Sequence, residues 1–266
     1  MSQQSRFAAK TILLSGATGG LGRALAMQLA QAGAKLLLTA RSQPALAQLA
    51  EQLPGQHGYF AADISRATER QALCEWAIGE GVDGLINNAG CGLLALAGEQ
   101  TEPELEQLLA VNLQVPIALC NTLLPTLKMR SEAVIINIGS ILGSIGLPGS
   151  SLYGATKAGL QRYSEALRRE LSDSRIAVFY CAPRAIATPL NSEASSAMNR
   201  QLGNAMDSPD QVAAAIIKRC QTPPRSIYLG WPEKLFVRIN ALAPRLVDGA
   251  LRKQLATIKR FAGRAK

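Results

Sequence analysis

The stretch TILLSGATGGLGRALAMQLAQAGAKLLLTA, residues 11–40, decides the fold. A short apolar run, TILLS (11–15), enters the glycine-rich turn SGATGGLG (15–22). LGRALAMQLAQAG then carries helical spacing, and a second apolar run, KLLLTA (35–40), follows. A strand that is apolar at every position has no face for water, so it belongs in a parallel sheet covered by helices on both sides. The same alternation repeats to about residue 230. Further runs are GYFAAD (58–63), VDGLINNAG (82–90), AVIINIGS (133–140), RIAVFYCAP (175–183) and the short RSIYLG. Helical patterns cover QPALAQLAEQL, with Pro44 in the first turn, RATERQALCEWAIG, about 101–129, 151–172 and near 209–220. Seven strands alternating with helices predict one α/β domain, a doubly wound seven-stranded parallel sheet over 1–230. No linker or internal repeat divides it.

Composition narrows the function. The chain has 266 residues, enough to bury a large core, and its 48% hydrophobic and 18% charged residues are those of a globular protein. No apolar run reaches the length that spans a bilayer, and MSQQSRFAAK lacks a signal-peptide core, so the expected compartment is the cytoplasm. Cys74, Cys91, Cys120, Cys181 and Cys220 are scattered, odd in number and without a C-x-x-C pair, which suits reduced thiols. His57 is the sole histidine, so neither a His/Cys metal site nor a Ser-His-Asp mechanism is expected.

In doubly wound sheets, ligands lie beyond the carboxyl ends of the strands. After the first run, Gly16, Gly20 and Gly22 let the chain turn tightly and let a phosphate approach a helix N-terminus. Their spacing is G-x-x-x-G-x-G, not the commoner dinucleotide fingerprint. After the second run, Thr39 stands where an NAD site usually carries an acid, residues 35–50 contain no carboxylate, and Arg41 is suited to a 2′-phosphate. After the third stands Asp63, a candidate for adenine or a helix cap. NNAG follows the fourth, Ser140 the fifth, and APRAIATPL the sixth. Further along, Tyr153 and Lys157 in SLYGATKAGL share a helix face.

SGATGGLG, Asp63, NNAG, Asn112 in VNL, Ser140, YGATK and the pair Pro183 and Thr188, in this order and at these intervals, resemble the short-chain dehydrogenase/reductase family over roughly residues 10–230. The resemblance implies a Rossmann-like domain and carbonyl–alcohol interconversion by hydride transfer with NADP(H), with Arg41 setting the cofactor preference. It implies Tyr153 as general acid/base, Lys157 tuning it and gripping the nicotinamide ribose, Ser140 holding the substrate oxygen, and Asn112 anchoring a relay water. The implied cofactor contacts are Gly16, Thr18, Gly20, Leu21, Gly22, Arg41, Asp63, Ile64, Asn88, Ala89, Gly90, Tyr153, Lys157, Pro183, Ile186 and Thr188. From the phenol's ordinary pKa near 10, a neighbouring ammonium is expected to favour phenolate. One departure stands out: Arg184 replaces the family's Gly after Pro183, and either points to solvent, bends the loop or meets an anion. A non-catalytic nucleotide-binding or scaffold member of the same fold is the alternative, against which the intact Asn112, Ser140, Tyr153 and Lys157 count.

Apolar residues after the site motifs, Cys91, Leu93, Leu94, Leu142, Ile145 and Leu147, suggest a lipid-like carbonyl or alcohol as substrate. The Ser/Asn-rich stretch 190–207 reads as a mobile lid. A homodimer or homotetramer through the helices at 101–129 and 151–172 is expected by family analogy. The net charge of +9 is concentrated in a basic helical extension, 231–266, with nine basic and two acidic residues. Without interleaved Tyr or Trp it does not read as a nucleic-acid binder. Its apolar residues at 235, 239, 242, 246 and at 247, 251, 255, 258 have helical spacing, and Pro244 separates two helices. Two readings stay open: a peripheral membrane contact, apolar face down, or packing on protein.

Overall fold

A computed structural model describes residues 5–263, so Arg264 and Lys266 of the basic tail lie outside the described residues. Seven strands form one sheet: β1 (Thr11–Ser15), β2 (Lys35–Ala40), β3 (Gly58–Ala61), β4 (Gly84–Asn87), β5 (Ala133–Ile138), β6 (Ile176–Ala182) and β7 (Ser226–Tyr228). They are ordered β3-β2-β1-β4-β5-β6-β7, every pairing parallel. The helices are α1 (Gly20–Gln31), α2 (Gln43–Gln52), α3 (Ala67–Gly79), α4 (Glu102–Leu109), α5 (Val115–Lys128), α6 (Ser151–Glu170), α7 (Glu193–Gln201), α8 (Pro209–Arg219), α9 (Glu233–Leu242) and α10 (Pro244–Ala262).

The continuous apolar runs are explained by two cores, one on each face. Ile12, Leu14, Leu36 and Leu38 join side chains of α1, α2 and α8. Leu13 and Leu37, one residue out of phase, join those of α3, α5 and α6. Successive strand residues point to opposite faces, and both faces are dry. His57 has a structural place: its Nδ1 accepts from Leu36 N (3.1 Å), tying the segment before β3 to β2.

Strand order reverses between β1 and β4, which opens a crevice at their carboxyl ends. A buried polar ladder fixes what stands beside it. Asn87 Nδ2 donates to Asn137 Oδ1 (2.8 Å), and Asn137 Nδ2 to Ser164 Oγ (2.8 Å), linking β4, β5 and α6. In this way α6 is held in register with the strand ends.

Three expectations need correction. The helical pattern at 101–129 contains a π turn, Ala110–Gln114, between α4 and α5. Glu102–Lys128 is, by length and composition, long and apolar enough to cross a membrane. The run-by-run reading missed this because uncharged Asn112, Gln114, Asn121 and Thr122 interrupt it without adding charge. In the fold this segment packs Leu119, Leu123 and Leu127 into the sheet core. Within the stretch 190–207 lies a helix that the sequence reading did not place there, α7, capped by Ser192 Oγ accepting from Ser195 N (3.1 Å). Met198 of α7 packs with Ile258 and Ala262 of α10. Of the serines and asparagines in this stretch, Ser192 is the cap, Asn199 is buried in the helix, and Asn191 donates to Ile186 O.

Candidate active site

Beyond the strand ends lies one large cleft of about 1450 Å3. At its floor, Ser15 Oγ accepts from Asn88 N (3.0 Å) and Ala89 N (3.1 Å), and Asn88 Nδ2 donates to Ser15 O and Gly16 O (both 3.1 Å). The turns after β1 and β4 are thereby fastened together. Gly16 has φ +63°, and a Cβ there would lie 2.7 Å from Ala89 Cα, so only glycine fits. The first turn of α1 has no side-chain cap, and Gly19, Gly20, Leu21 and Gly22 line the cleft. Backbone donors at an uncapped helix N-terminus suit a phosphate, so these residues fit a nicotinamide dinucleotide.

Every residue expected to contact the cofactor, from Gly16 and Thr18 to Ile186 and Thr188, borders this cleft. Arg41 is exposed at its rim, near enough to Asp63 to favour the carboxylate. Asp63 itself is engaged by its own turn: Oδ1 accepts from Ser65 Oγ (2.6 Å) and Ser65 N (3.1 Å), and its pKa is lowered chiefly by that hydroxyl. Asp63 is not the cap of α3, whose N-cap is Arg66 without a side-chain cap bond; its Oδ1 closes the turn that precedes the helix.

Ser140, Tyr153 and Lys157 meet where the strand ends face α6. Lys157 is buried and donates from Nζ to Ile138 O (3.1 Å), with its ammonium 5.9 Å from the centre of the Tyr153 ring. Burial pulls its pKa down to about 8. The Tyr153 pKa is raised, burial outweighing the Ser140 hydroxyl that hydrogen-bonds to it. Desolvation of the phenol dominates, and the Lys157 ammonium expected to stabilise phenolate is hydrogen-bonded to a backbone carbonyl. The turn Ile141–Gly143 lies flat on α6: a Cβ on Gly143 would come within 2.8 Å of the Lys157 carbonyl carbon. Tyr180, absent from the sequence reading, braces the centre. Its hydroxyl accepts from Ser140 N (3.3 Å) and lies within hydrogen-bonding distance of Ser140 O (3.2 Å) and Lys157 O (3.4 Å). A lone apolar-strand tyrosine carries no sequence signal for that.

Asn112 does not line the cleft. It sits one layer behind, fully buried in the π turn. Its Oδ1 accepts from Cys91 N (2.9 Å), and its Nδ2 donates to Cys91 O (2.9 Å) and Thr156 Oγ1 (3.2 Å). Both polar atoms of the Asn112 amide are thus engaged within the protein.

The expected apolar walls, Cys91, Leu93, Leu94, Leu142, Ile145 and Leu147, all border the cleft. Unexpected wall residues come from the tail, including Phe236, Val247 and Leu251. Arg184 explains why the tail sits there. Its guanidinium donates to both oxygens of Asp207 (2.6 and 2.9 Å), to Glu233 Oε2 (3.1 Å) and to Trp231 O (3.0 Å). Of the readings open for this residue, it meets anions. It clips α9 and the segment before α8 to the loop after β6. Arg184→Gly leaves two half-buried carboxylates without their cation, a loss of about 2 kcal/mol for a pair of this burial. Limited proteolysis within 231–263 is expected to speed up roughly tenfold or more, since cleavage tracks the opened fraction. Unchanged cleavage would show that the clip does not hold the tail.

Residues 10–199 match the family model for short chain dehydrogenase. The chain belongs to the short-chain dehydrogenase/reductase family. Dehydrogenase/reductase SDR family member 7B of Bos taurus is 32% identical over 267 residues, covering 91% of this chain and 82% of that protein. A short-chain dehydrogenase from Streptomyces avermitilis superposes with a TM-score of 0.81 at 29% identity, covering 92% of this chain and 97% of that one. A 3-ketoacyl-(acyl-carrier-protein) reductase from Brucella melitensis, complexed with NADH, gives 0.77 at 26% identity, covering 85% and 99%. Membership makes the chain an oxidoreductase that acts on carbonyl or alcohol groups with a nicotinamide cofactor.

Proposed function

We propose that this chain is an NADP(H)-dependent reductase of apolar, lipid-like ketones or aldehydes in the cytoplasm. The observation that carries this reading is the position of Ser140, Tyr153 and Lys157 at the junction of the glycine-floored cleft and a chamber walled by Leu93, Leu94, Leu142, Ile145 and Leu147. The bound cofactor supplies the hydride. Ser140 holds the substrate oxygen by hydrogen bond, and Tyr153 delivers its phenolic proton to that oxygen as charge develops there. Lys157, enclosed beneath Tyr153, holds the ribose hydroxyls. Asn112 acts as a positioning residue, tying the loop after β4 to α6. The glycine floor and helix α1 take the pyrophosphate, and apolar walls exclude water and orient the chain of the substrate.

The preference for NADP(H) rests on Arg41 and on the lack of any carboxylate at residues 35–50. Arg41→Asp exchanges a charge-assisted contact with phosphate for repulsion. The ratio of kcat/KM values for NADPH and NADH is expected to fall by roughly 100-fold, about 3 kcal/mol. A wild-type protein that uses both nucleotides equally, or medium-chain ketones turned over no better than sugars in the same panel, would defeat the reading. Assembly as a homodimer or homotetramer through the helices at 101–129 and 151–172 belongs to the same proposal. Only 39% of the most apolar window in Glu102–Lys128 is buried within one chain, which leaves surface for a second copy.

A further inference from the structure

Ten large hydrophobic side chains are exposed among the described residues, and half of them fall in the corner formed by α9 and the start of α10, from the segment just before α9 to the first turn of α10: Trp231, Leu235, Phe236, Leu242 and Leu246. The others are scattered: Tyr59 on β3, Ile78 on α3, Leu109 on α4, Met129 just past α5 and Leu190 in the loop after β6. Leu242 and Leu246 are 88% and 69% exposed, far more than a chance surface leucine needs to be. The remainder of the tail's apolar stripe is turned inward: Val247 and Ile258 are buried, and Leu251 and Leu255 partly so. The amphipathic tail thus turns part of its apolar stripe inward, toward the cleft and α7, and leaves the rest on this corner.

Cations are interleaved with these residues and follow them along α10. Lys234, Arg238, Arg245, Arg252 and Lys253 are exposed, and none is paired with a carboxylate among the described residues. Lys234 Nζ lies 5.2 Å from the centre of the Trp231 ring, so cation and aromatic ring share a face. Of the tail's two acids, Glu233 is held by Arg184, which leaves Asp248. The corner is also the rim of the cleft: Trp231, Phe236 and Leu246 are at once exposed and part of its wall.

We infer that the α9–α10 corner docks the mouth of the cleft onto an anionic lipid bilayer, with Leu242 and Leu246 entering the acyl boundary and the interleaved Lys and Arg meeting headgroup phosphates. Apolar tips interleaved with cations match that interface in depth and charge. A second copy joined through the same corner would bring two positively charged patches together, which disfavours that contact. Docking stands on the chemistry of the corner alone; that an apolar substrate then enters from the bilayer rests on the proposed function.

The test is flotation of the full-length protein with phosphatidylcholine vesicles, with and without about a third phosphatidylserine. Binding to the anionic vesicles is expected to be at least about tenfold tighter at low salt and to fall as salt shortens the Debye length. Brominated lipids should quench the exposed Trp231. Leu242→Ser tests insertion and the pair Arg245→Glu with Arg252→Glu tests charge; all three residues are exposed and outside the cleft wall, and each variant should lower binding roughly tenfold. Turnover of a water-soluble carbonyl should be unchanged in every variant. No flotation at low salt, equal binding to both vesicle types, or variants that bind like wild type would overturn the inference. So would a loss of self-association in these variants without any vesicle binding, which would make the corner an interface between copies. The assay reads binding without turnover, so its failure leaves the reductase reading intact.

Discussion

Tyr153→Phe is expected to lower carbonyl reduction by at least about 100-fold while nucleotide affinity changes little, because general acid catalysis by a positioned group contributes on that order. The substitution removes one oxygen from a side chain whose ring keeps its place on α6, between the Ser140 turn and Lys157. Most residues expected to hold the nucleotide, among them Gly16 to Gly22 and Asn88 to Gly90, lie on other elements, and Lys157 is unchanged by the substitution. Direction of reaction enters through the phenol. Its pKa is raised by burial, so it stays protonated across the neutral range and is ready to donate. Alcohol oxidation needs the opposite form and should quicken as pH rises, whereas reduction should not depend on phenol ionisation near neutrality. Steady-state rates, with nucleotide binding measured by fluorescence, decide the matter. A variant retaining more than about a tenth of the wild-type rate would remove Tyr153 from the role of proton donor.

How far these residues were legible follows from what each signal depends on. Strands β1, β2 and β6 appear in the sequence almost residue for residue, since a strand buried on both faces is apolar throughout, and that is a local property. The cleft residues were legible for a related reason. A parallel sheet sends all its carboxyl ends to one side, so whatever follows each run converges, and motifs spread over 170 residues come to line one cleft. Features made by long-range pairing were hidden. Nothing near Arg184 announces that Asp207 and Glu233 will close on it from two other segments. Tyr180 lies in an apolar run, and only the crossing of β6 behind the Ser140 turn gives its hydroxyl a task. The tail read correctly as two helices parted at Pro244, but periodicity cannot say which half of an apolar stripe will line a cleft and which will face outward.

Lys157→Met should separate function from stability in opposite directions. Turnover is expected to fall by roughly 100-fold or more, because the group proposed to hold the ribose and charge the site is gone. The unliganded protein is nevertheless expected to be more stable at neutral pH. Lys157 is 5% exposed, and burial lowers its pKa to about 8. Below that pH both folded and unfolded chains carry the proton, so the fold bears the whole cost of enclosing an ammonium. Methionine fills similar space without charge. Setting that relief against the lost bond to Ile138 O leaves a gain of about 2 kcal/mol, or several degrees in Tm. The sign with pH is distinctive. As pH rises from about 8 toward the ordinary lysine value, the unfolded wild-type chain holds a proton that the folded chain has released, so wild-type stability increases over that window. The variant lacks this dependence, and its advantage should shrink as the alkaline range is entered. Urea unfolding of both proteins at neutral and alkaline pH measures the difference directly. A variant less stable at neutral pH, or an advantage that does not change with pH, would mean that the buried ammonium is compensated in the fold and that its depressed pKa does not reflect a cost held for the sake of the chemistry.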